Sequence, residues 1–281
     1  MRMYVRGMAL PTPSPTATAL VTGASSGIGA DIARELVRRG HGVTLVARRE
    51  DRLRALADEL SGSVRIEVVA CDMADASARA TLLDTIAERG LTLDILVNNA
   101  GVGTIGSVAT STVDAELSMV RVNVEAVIDL CTRAVAQMVP RGRGAILNVG
   151  STAAYNPFPG QAGYAASKAF VVTYSEALRA ELHGSGVTVA TLCPGPVRTE
   201  FLQTAGMDEG TFAEAFPEFM WVPAREVADL GVDAIAEDHG TVVPGLPNRI
   251  AATAFRHLPR RLLLPVLAKA HPALKQERSR R

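Results

Sequence analysis

Apolar residues fall in six short runs, at 17–21, 42–47, 64–70, 93–97, 145–149 and 187–193, mostly continuous, with Arg65 and Glu67 interrupting the third and Asp94 the fourth, and several rich in β-branched side chains. Runs of this length without a polar face fit strands buried on both sides, as in a parallel sheet. The stretches between them have helical spacing. Ile32, Ala33, Leu36 and Val37 mark a helix over 28–39, and Leu53, Leu56, Ala57 and Leu60 mark a second. Others are predicted over 76–89 and 164–182, and 120–124 starts or interrupts a long helix that reaches about Met138. Strands alternating with helices predict an α/β chain with a single-domain, doubly wound Rossmann-type parallel sheet.

The chain has 281 residues, 48% of them hydrophobic, enough for one such domain, placed here at 17–247. Residues 1–16 read as a disordered lead-in: arginines, then Pro11, Pro13 and Pro15, with Met8 an alternative start to Met1. No apolar signal core precedes the domain and no run is long enough to span a bilayer, which predicts a cytoplasmic protein. Cys71, Cys131 and Cys193 lie in apolar surroundings far apart, and the histidines are scattered, so reduced core thiols and no metal site are expected. Zero net charge gives no reason to expect nucleic acid as a partner. The charge is uneven, however. From 249 to 281 there are nine Lys/Arg against Glu277, interspersed with Ile250, Phe255, Leu258, Leu262, Leu263, Leu264, Val266 and Leu267. Such a basic amphipathic C-terminal extension, 248–281, either lies peripherally on an anionic membrane or packs on the body or a partner subunit.

Three stretches carry candidate chemistry. After the first run comes Gly23, Gly27 and Gly29, spaced Gly-x-x-x-Gly-x-Gly, which departs from the usual dinucleotide fingerprint. A glycine turn between strand and helix is either a tight turn or an anion site, where free amides and the helix dipole face a phosphate. Arg48 and Arg49 end the second run, where a dinucleotide fold sets an acid on the adenosine ribose or an arginine on a 2′-phosphate. Arginines there favour NADP(H) over NAD(H); the alternative is a solvated basic helix start, although they oppose the dipole. Tyr164 and Lys168 share one helix face at i,i+4, and Ser151 ends the fifth run. A phenol ionises near ~10, so acid/base work near neutrality takes roughly 4 kcal/mol of preferential phenolate stabilisation, which a fixed cation supplies. Tyr4, Tyr155 and Tyr174 are followed four positions on by Met8, Pro159 and Leu178. Alone, the pair reads as a core tyrosine beside a solvated lysine; the rest of the chain overturns that reading.

With the 22–29 loop, Asp72, Asn98-Asn99-Ala100-Gly101, Asn123, Ser151, Tyr164, Lys168 and Pro194-Gly195 through Thr199 in this order, the chain resembles the short-chain dehydrogenase/reductase family over about 17–236. The resemblance implies catalysis by Ser151, Tyr164, Lys168 and Asn123. Ser151 would bind the carbonyl oxygen and Tyr164 deliver the proton. Lys168 would lower the phenol pKa and bind the nicotinamide ribose, and Asn123 would organise a water leading from Lys168 to solvent. It also implies cofactor contacts: Gly23, Ser25, Ser26, Gly27, Ile28 and Gly29 at the pyrophosphate, Arg48 and Arg49 at the 2′-phosphate, Asp72 and Met73 at the adenine. Asn99, Ala100 and Gly101 would follow at the adenosine side, Tyr164 and Lys168 at the ribose, and Pro194, Gly195, Val197 and Thr199 at the nicotinamide. For Asn98 and Asn99 a purely structural role is the alternative.

Substrate shape is expected from the loop at 155–161 and from a lid at about 199–222 carrying Phe201, Leu202, Met207, Phe212, Phe216, Phe219, Met220 and Trp221. Such residues line an apolar pocket or simply pack the lid onto the body. The overall form is similar to the ketoacyl-reductase and long-chain 3-oxo-acyl reductase branch, which implies an NADPH-dependent reductase of a lipophilic ketone or acyl thioester in lipid metabolism, working as a homodimer or homotetramer. Alternatives are a steroid or xenobiotic carbonyl reductase, or a non-catalytic NADP(H)-binding regulator or scaffold. The complete set of four catalytic residues argues against the last.

Overall fold

A computed structural model of the chain describes residues 10–62, 64–204, 216–270 and 274. The six apolar runs form the strands β1 (Ala17–Thr22), β2 (Val43–Ala47), β3 (Ile66–Ala70), β4 (Thr92–Asn98), β5 (Gly144–Val149) and β6 (Val187–Leu192). A seventh, β7 (Thr241–Val242), pairs with Thr191 and Leu192 and is too short to stand out in the sequence. All pairings are parallel, in the order β3-β2-β1-β4-β5-β6-β7. The order reverses between β1 and β4, and this switch point opens a crevice at the carboxyl ends of the strands.

The helices are α1 (Gly27–Arg38), α2 (Glu50–Leu60), α3 (Ala76–Glu88), α4 (Val113–Val120), α5 (Ala126–Arg141), α6 (Ala162–Glu181), α7 (Phe201–Thr204), α8 (Ala224–Ala236), α9 (Leu246–His257) and α10 (Arg260–Ala270). Successive strand residues point to opposite faces and so supply two cores. Val21, Leu45 and Leu147 pack with Ile32 and Leu36 of α1, Leu53 of α2 and Val232 of α8. Leu20, Val46 and Ile146 pack with Leu82 of α3, Leu130 of α5 and Val171 of α6. Burial on both faces is why β1, β2, β4, β5 and β6 read as apolar runs, whereas β3, at the sheet edge and only half-buried, admits Arg65 and Glu67 into its own.

Some expectations change. The break at 120–124 is a π-helical turn, Arg121–Glu125, between α4 and α5. Such a bulge re-aims the residues within it, and Asn123 is one of them. The lead-in expected to be disordered to residue 16 is tied down from Leu10, which packs on the core, and Thr12, whose carbonyl accepts from Arg143; residues 1–9, with both candidate starts, lie outside the described residues. Helix α9 runs straight across position 247, so the C-terminal extension begins inside an element, and Asn248 is almost fully buried. Among the described residues, the three cysteines are buried free thiols, no acidic, histidine and cysteine groups could hold a metal, and no helix is long and apolar enough to cross a membrane.

Candidate active site

A continuous cavity of about 280 Å³ follows the crevice from Gly23 and Gly27, past Asn99, Ala100 and Gly101, to Ser151, Tyr164 and Lys168. It ends against Phe158, Phe201, Phe216, Met220, Ala251, Ala252, Phe255 and Leu267.

Its first end is built by the glycine turn. Gly23 (φ 67°) and Gly27 (φ 55°) sit in the left-handed region that side chains disfavour. The chain is drawn in by Asn99, whose Nδ2 donates to the carbonyls of Thr22 (3.0 Å) and Gly23 (3.3 Å). A Cβ on Gly29 would overlap that Asn99 amide. Thr22 Oγ1 donates to Val97 and accepts from the amides of Asn99 and Ala100, joining β1 to the end of β4. Asn99 is thus a clamp on the loop. Asn98 is buried and donates to Asn148 Oδ1 (2.8 Å), while Asn148 donates to Ser175 (2.8 Å) on α6. For Asn98 the structural role holds.

No side chain caps the start of α1 at Ser26. Its first-turn amides therefore remain donors for an anion. Arg49 Nη2 donates to the hydroxyls of Ser25 and Ser26 (3.0 Å each), and Nη1 pairs with Glu200 (2.8 Å). An uncapped helix start, two hydroxyls and a guanidinium fit a phosphorylated adenosine, so this end of the crevice matches the demands of NADP(H). Arg48 stands exposed beside it. Asp72 is half-buried and accepts from the Ala74 amide (2.9 Å), and Met73 is packed in the core, offering its carbonyl to Arg79.

At the other end, Ser151 follows β5, and α6 presents Tyr164 and Lys168. Lys168 is 5% exposed; its Nζ donates to the Val149 carbonyl (2.8 Å) and lies 5.9 Å from the centre of the Tyr164 ring. Burial brings Lys168 down to about 8. Burial also pushes the Tyr164 phenol up to about 12, opposed by a hydrogen bond with Ser151. In the ligand-free protein the net shift of the phenol is upward because desolvation is the largest influence on it, and the Lys168 ammonium donates to Val149 rather than to the phenol. Behind the pair lies Cys193, whose thiol burial raises to about 11.

Asn123 donates to the Val102 carbonyl (2.9 Å) and Ser167 Oγ (2.9 Å), and its Oδ1 accepts from the Val102 amide (3.0 Å). Both amide hydrogens are used to pin the 99–104 loop to α6. Its remaining acceptor capacity faces Gly101: a Cβ there would lie 3.3 Å from Lys168 Nζ and 3.5 Å from Asn123 Oδ1. Gly101 therefore keeps open the gap between those two groups. Thr199 packs against Gly27, the Pro194 carbonyl accepts from Thr152 (2.9 Å), Val197 is buried, and Gly195 abuts Asn248.

The lid expectation divides. Phe201 packs on Tyr164, ring centres 5.5 Å apart, and Phe216 and Met220 line the cavity. Phe219 is 69% exposed and Trp221 is covered by Arg198, 5.0 Å from its ring, so neither faces the substrate. Met207, Phe212 and the Leu202 side chain lie outside the described residues. The wall missed by sequence reasoning comes from α9 and α10: Ala251, Ala252, Phe255 and Leu267. Their i,i+4 spacing at 251 and 255 was a signal, but the exposed face of the same helices carried the stronger amphipathic pattern.

The family model described as short chain dehydrogenase matches residues 17–210. Sulfoacetaldehyde reductase 2 of Chromohalobacter salexigens is 35% identical over 217 residues, covering 75% of this chain and 85% of that protein. An NADP-dependent 3-hydroxy acid dehydrogenase, YdfG, of Salmonella typhi is 38% identical over 184 residues, 65% of this chain and 73% of its own. Among solved structures, a short-chain dehydrogenase from Sphingobium yanoikuyae in complex with NADPH aligns at a TM-score of 0.76 and 32% identity, covering 89% of this chain and 95% of that one.

Proposed function

The chain belongs to the short-chain dehydrogenase family and is an NADP-dependent oxidoreductase; from that premise we propose that it reduces the keto group of a lipophilic, 3-oxo-acyl type substrate. One observation carries the substrate class. The far wall is made of Phe158, Phe201, Phe216, Met220, Phe255 and Leu267, and among the described lining residues Lys168 is the only cation, already bound to Val149. A sulfonate or hydroxy acid, as named for the two relatives, would find no second cation among those described lining residues. An acyl chain gains about 0.8 kcal/mol for each buried CH₂.

NADPH held along this crevice would supply the hydride for the carbonyl carbon. In this reading Ser151 donates a hydrogen bond to the carbonyl oxygen, Tyr164 transfers its phenolic proton to that oxygen as it becomes an alkoxide, and Lys168 stabilises the resulting phenolate. Asn123 and Gly101 hold open the approach by which Tyr164 regains a proton through Lys168. The glycine turn, Ser25, Ser26, Arg48 and Arg49 hold the phosphates, Asp72 and Met73 the adenine, and Thr199 the carboxamide. NADPH oxidation over 3-oxo-acyl substrates of increasing length tests this, with Tyr164→Phe alongside. Turnover should rise with chain length and vanish in the variant, while NADPH binding persists. Best turnover on small anionic aldehydes would remove the acyl assignment.

The outer face of α9 and α10 favours a peripheral contact with anionic lipid. Leu246, Ile250, Leu258, Leu262 and Val266 are 47–65% exposed beside exposed Arg249, Arg256, Arg260 and Arg261. Since α9 also walls the cavity, removing it is a poor test; Leu262→Ser with Val266→Ser should abolish co-sedimentation with anionic vesicles at low salt and spare turnover of a soluble substrate. Binding unchanged by the pair refutes the contact. Val113, Leu117, Val120 and Ile128, exposed on α4 and α5, suit a homo-oligomer interface.

A further inference from the structure

Glu200 lies where an anion is wanted. Its two carboxylate oxygens are divided between two arginines, Oε2 on Arg49 (2.8 Å) and Oε1 on Arg52, and Arg49 also gathers the Ser25 and Ser26 hydroxyls. Two guanidiniums, one of them also anchored to the hydroxyls of the glycine turn, thus converge on one carboxylate that arrives from the far side of the crevice, after β6. Arg52 and Glu200 also line a second cavity, with Ser25 and Ser26, that opens beside the first. Arg52 has no counterpart among the residues expected to bind cofactor. Glu200 stands between Thr199, which touches Gly27, and Phe201, which packs on the Tyr164 ring.

We propose that Glu200 is an internal stand-in for the cofactor's 2′-phosphate. Without cofactor its carboxylate occupies Arg49 and Arg52; the phosphate of NADPH displaces it and takes both guanidiniums, making Arg52 a second phosphate ligand. The exchange keeps the charge balance: two cations are never left facing each other uncompensated, and a dianion replaces a monoanion. NADH carries no group able to make the exchange and binds with Glu200 in place. Competition for the arginines therefore weakens NADPH and leaves NADH nearly untouched. Because the displaced residue is joined directly to Phe201, occupation of the phosphate site also shifts the ring that packs on Tyr164.

This inference rests on the 2′-phosphate lying at Arg49, so the test separates the two. NADPH and NADH dissociation constants are measured by fluorescence titration for the parent, Glu200→Gln, Arg52→Gln and Arg49→Gln proteins. Glu200→Gln should tighten NADPH by about three- to tenfold, the range two exposed ion pairs support, and change NADH by less than twofold. Arg52→Gln should weaken NADPH alone. If Arg49→Gln weakens NADPH selectively but Glu200→Gln weakens it or moves both cofactors equally, the stand-in is refuted and the phosphate site survives. If Arg49→Gln spares the NADPH preference, both fall.

Discussion

Replacing Lys168 by methionine should make the ligand-free protein more stable while abolishing turnover. The buried ammonium titrates near 8 here against 10.5 for an unperturbed lysine, because burial penalises its charge. At ~1.4 kcal/mol per pH unit, carrying that charge at neutral pH costs the fold about 3 kcal/mol. Methionine fills similar volume but leaves the Val149 carbonyl without its donor, which returns about 1 kcal/mol. The net gain of about 2 kcal/mol corresponds to a rise in Tm of about 4 °C for a chain of this size. The sign with pH is definite. Between the folded and unfolded values the unfolded chain binds the extra proton, so the parent gains stability as pH rises from about 8 toward 10.5. The penalty is fully present below that window and falls to about 1 kcal/mol near pH ~9.5, where parent and variant should melt together. Melting both proteins at neutral and alkaline pH cancels the titration of every other group. A variant that melts lower than its parent at neutral pH, or a gap that does not change with pH, would refute the reasoning.

The raised Tyr164 phenol makes the two directions differ: alcohol oxidation, which needs phenolate, should be slow at neutrality and climb with pH, whereas reduction, which needs the protonated phenol and the charged Lys168, should fall above pH ~8, and kcat/KM profiles read this directly. An oxidation profile level by pH ~7 would show that burial does not govern the phenol. Gly101→Ala places a methyl in the gap between Lys168 and Asn123; kcat at saturating NADPH should fall about tenfold through slower proton return, and an unchanged kcat sinks the relay. Gly195→Ala meets the buried Asn248 amide at 2.6 Å and should cost about 1–3 kcal/mol, with a raised KM for the ketone as Phe255 is pushed, measured by melting and steady-state kinetics.

Where burial on both faces wrote itself into the chain as apolar runs, the fold was readable: β1, β2 and β4 to β6 fall on their runs, and β3 begins two residues inside its own. That Ser151, Tyr164 and Lys168 would meet at one cavity was readable because a strand end and an i,i+4 helix pair place them locally. What failed was non-local. β7 is a strand only because Thr191 and Leu192 offer an edge. The phenol's pKa depends on how deeply α6 is covered, which spacing alone does not reveal. Arg52 and Glu200 stand 148 positions apart, and no local pattern joins them. Phe219 and Phe216 have the same side chain three positions apart, yet one faces solvent and the other the cavity.

Helix α9 gives the molecule a division of labour along its length. The family model matches residues 17–210, while the end of the cavity receives Ala251, Ala252, Phe255 and Leu267 from beyond that stretch. The Ser151, Tyr164 and Lys168 end of the cavity thus lies wholly within that stretch, while its apolar end is assembled from both sides of residue 210, so exchange within the last forty or so positions alters one part of that wall and leaves Ser151, Tyr164 and Lys168 in place.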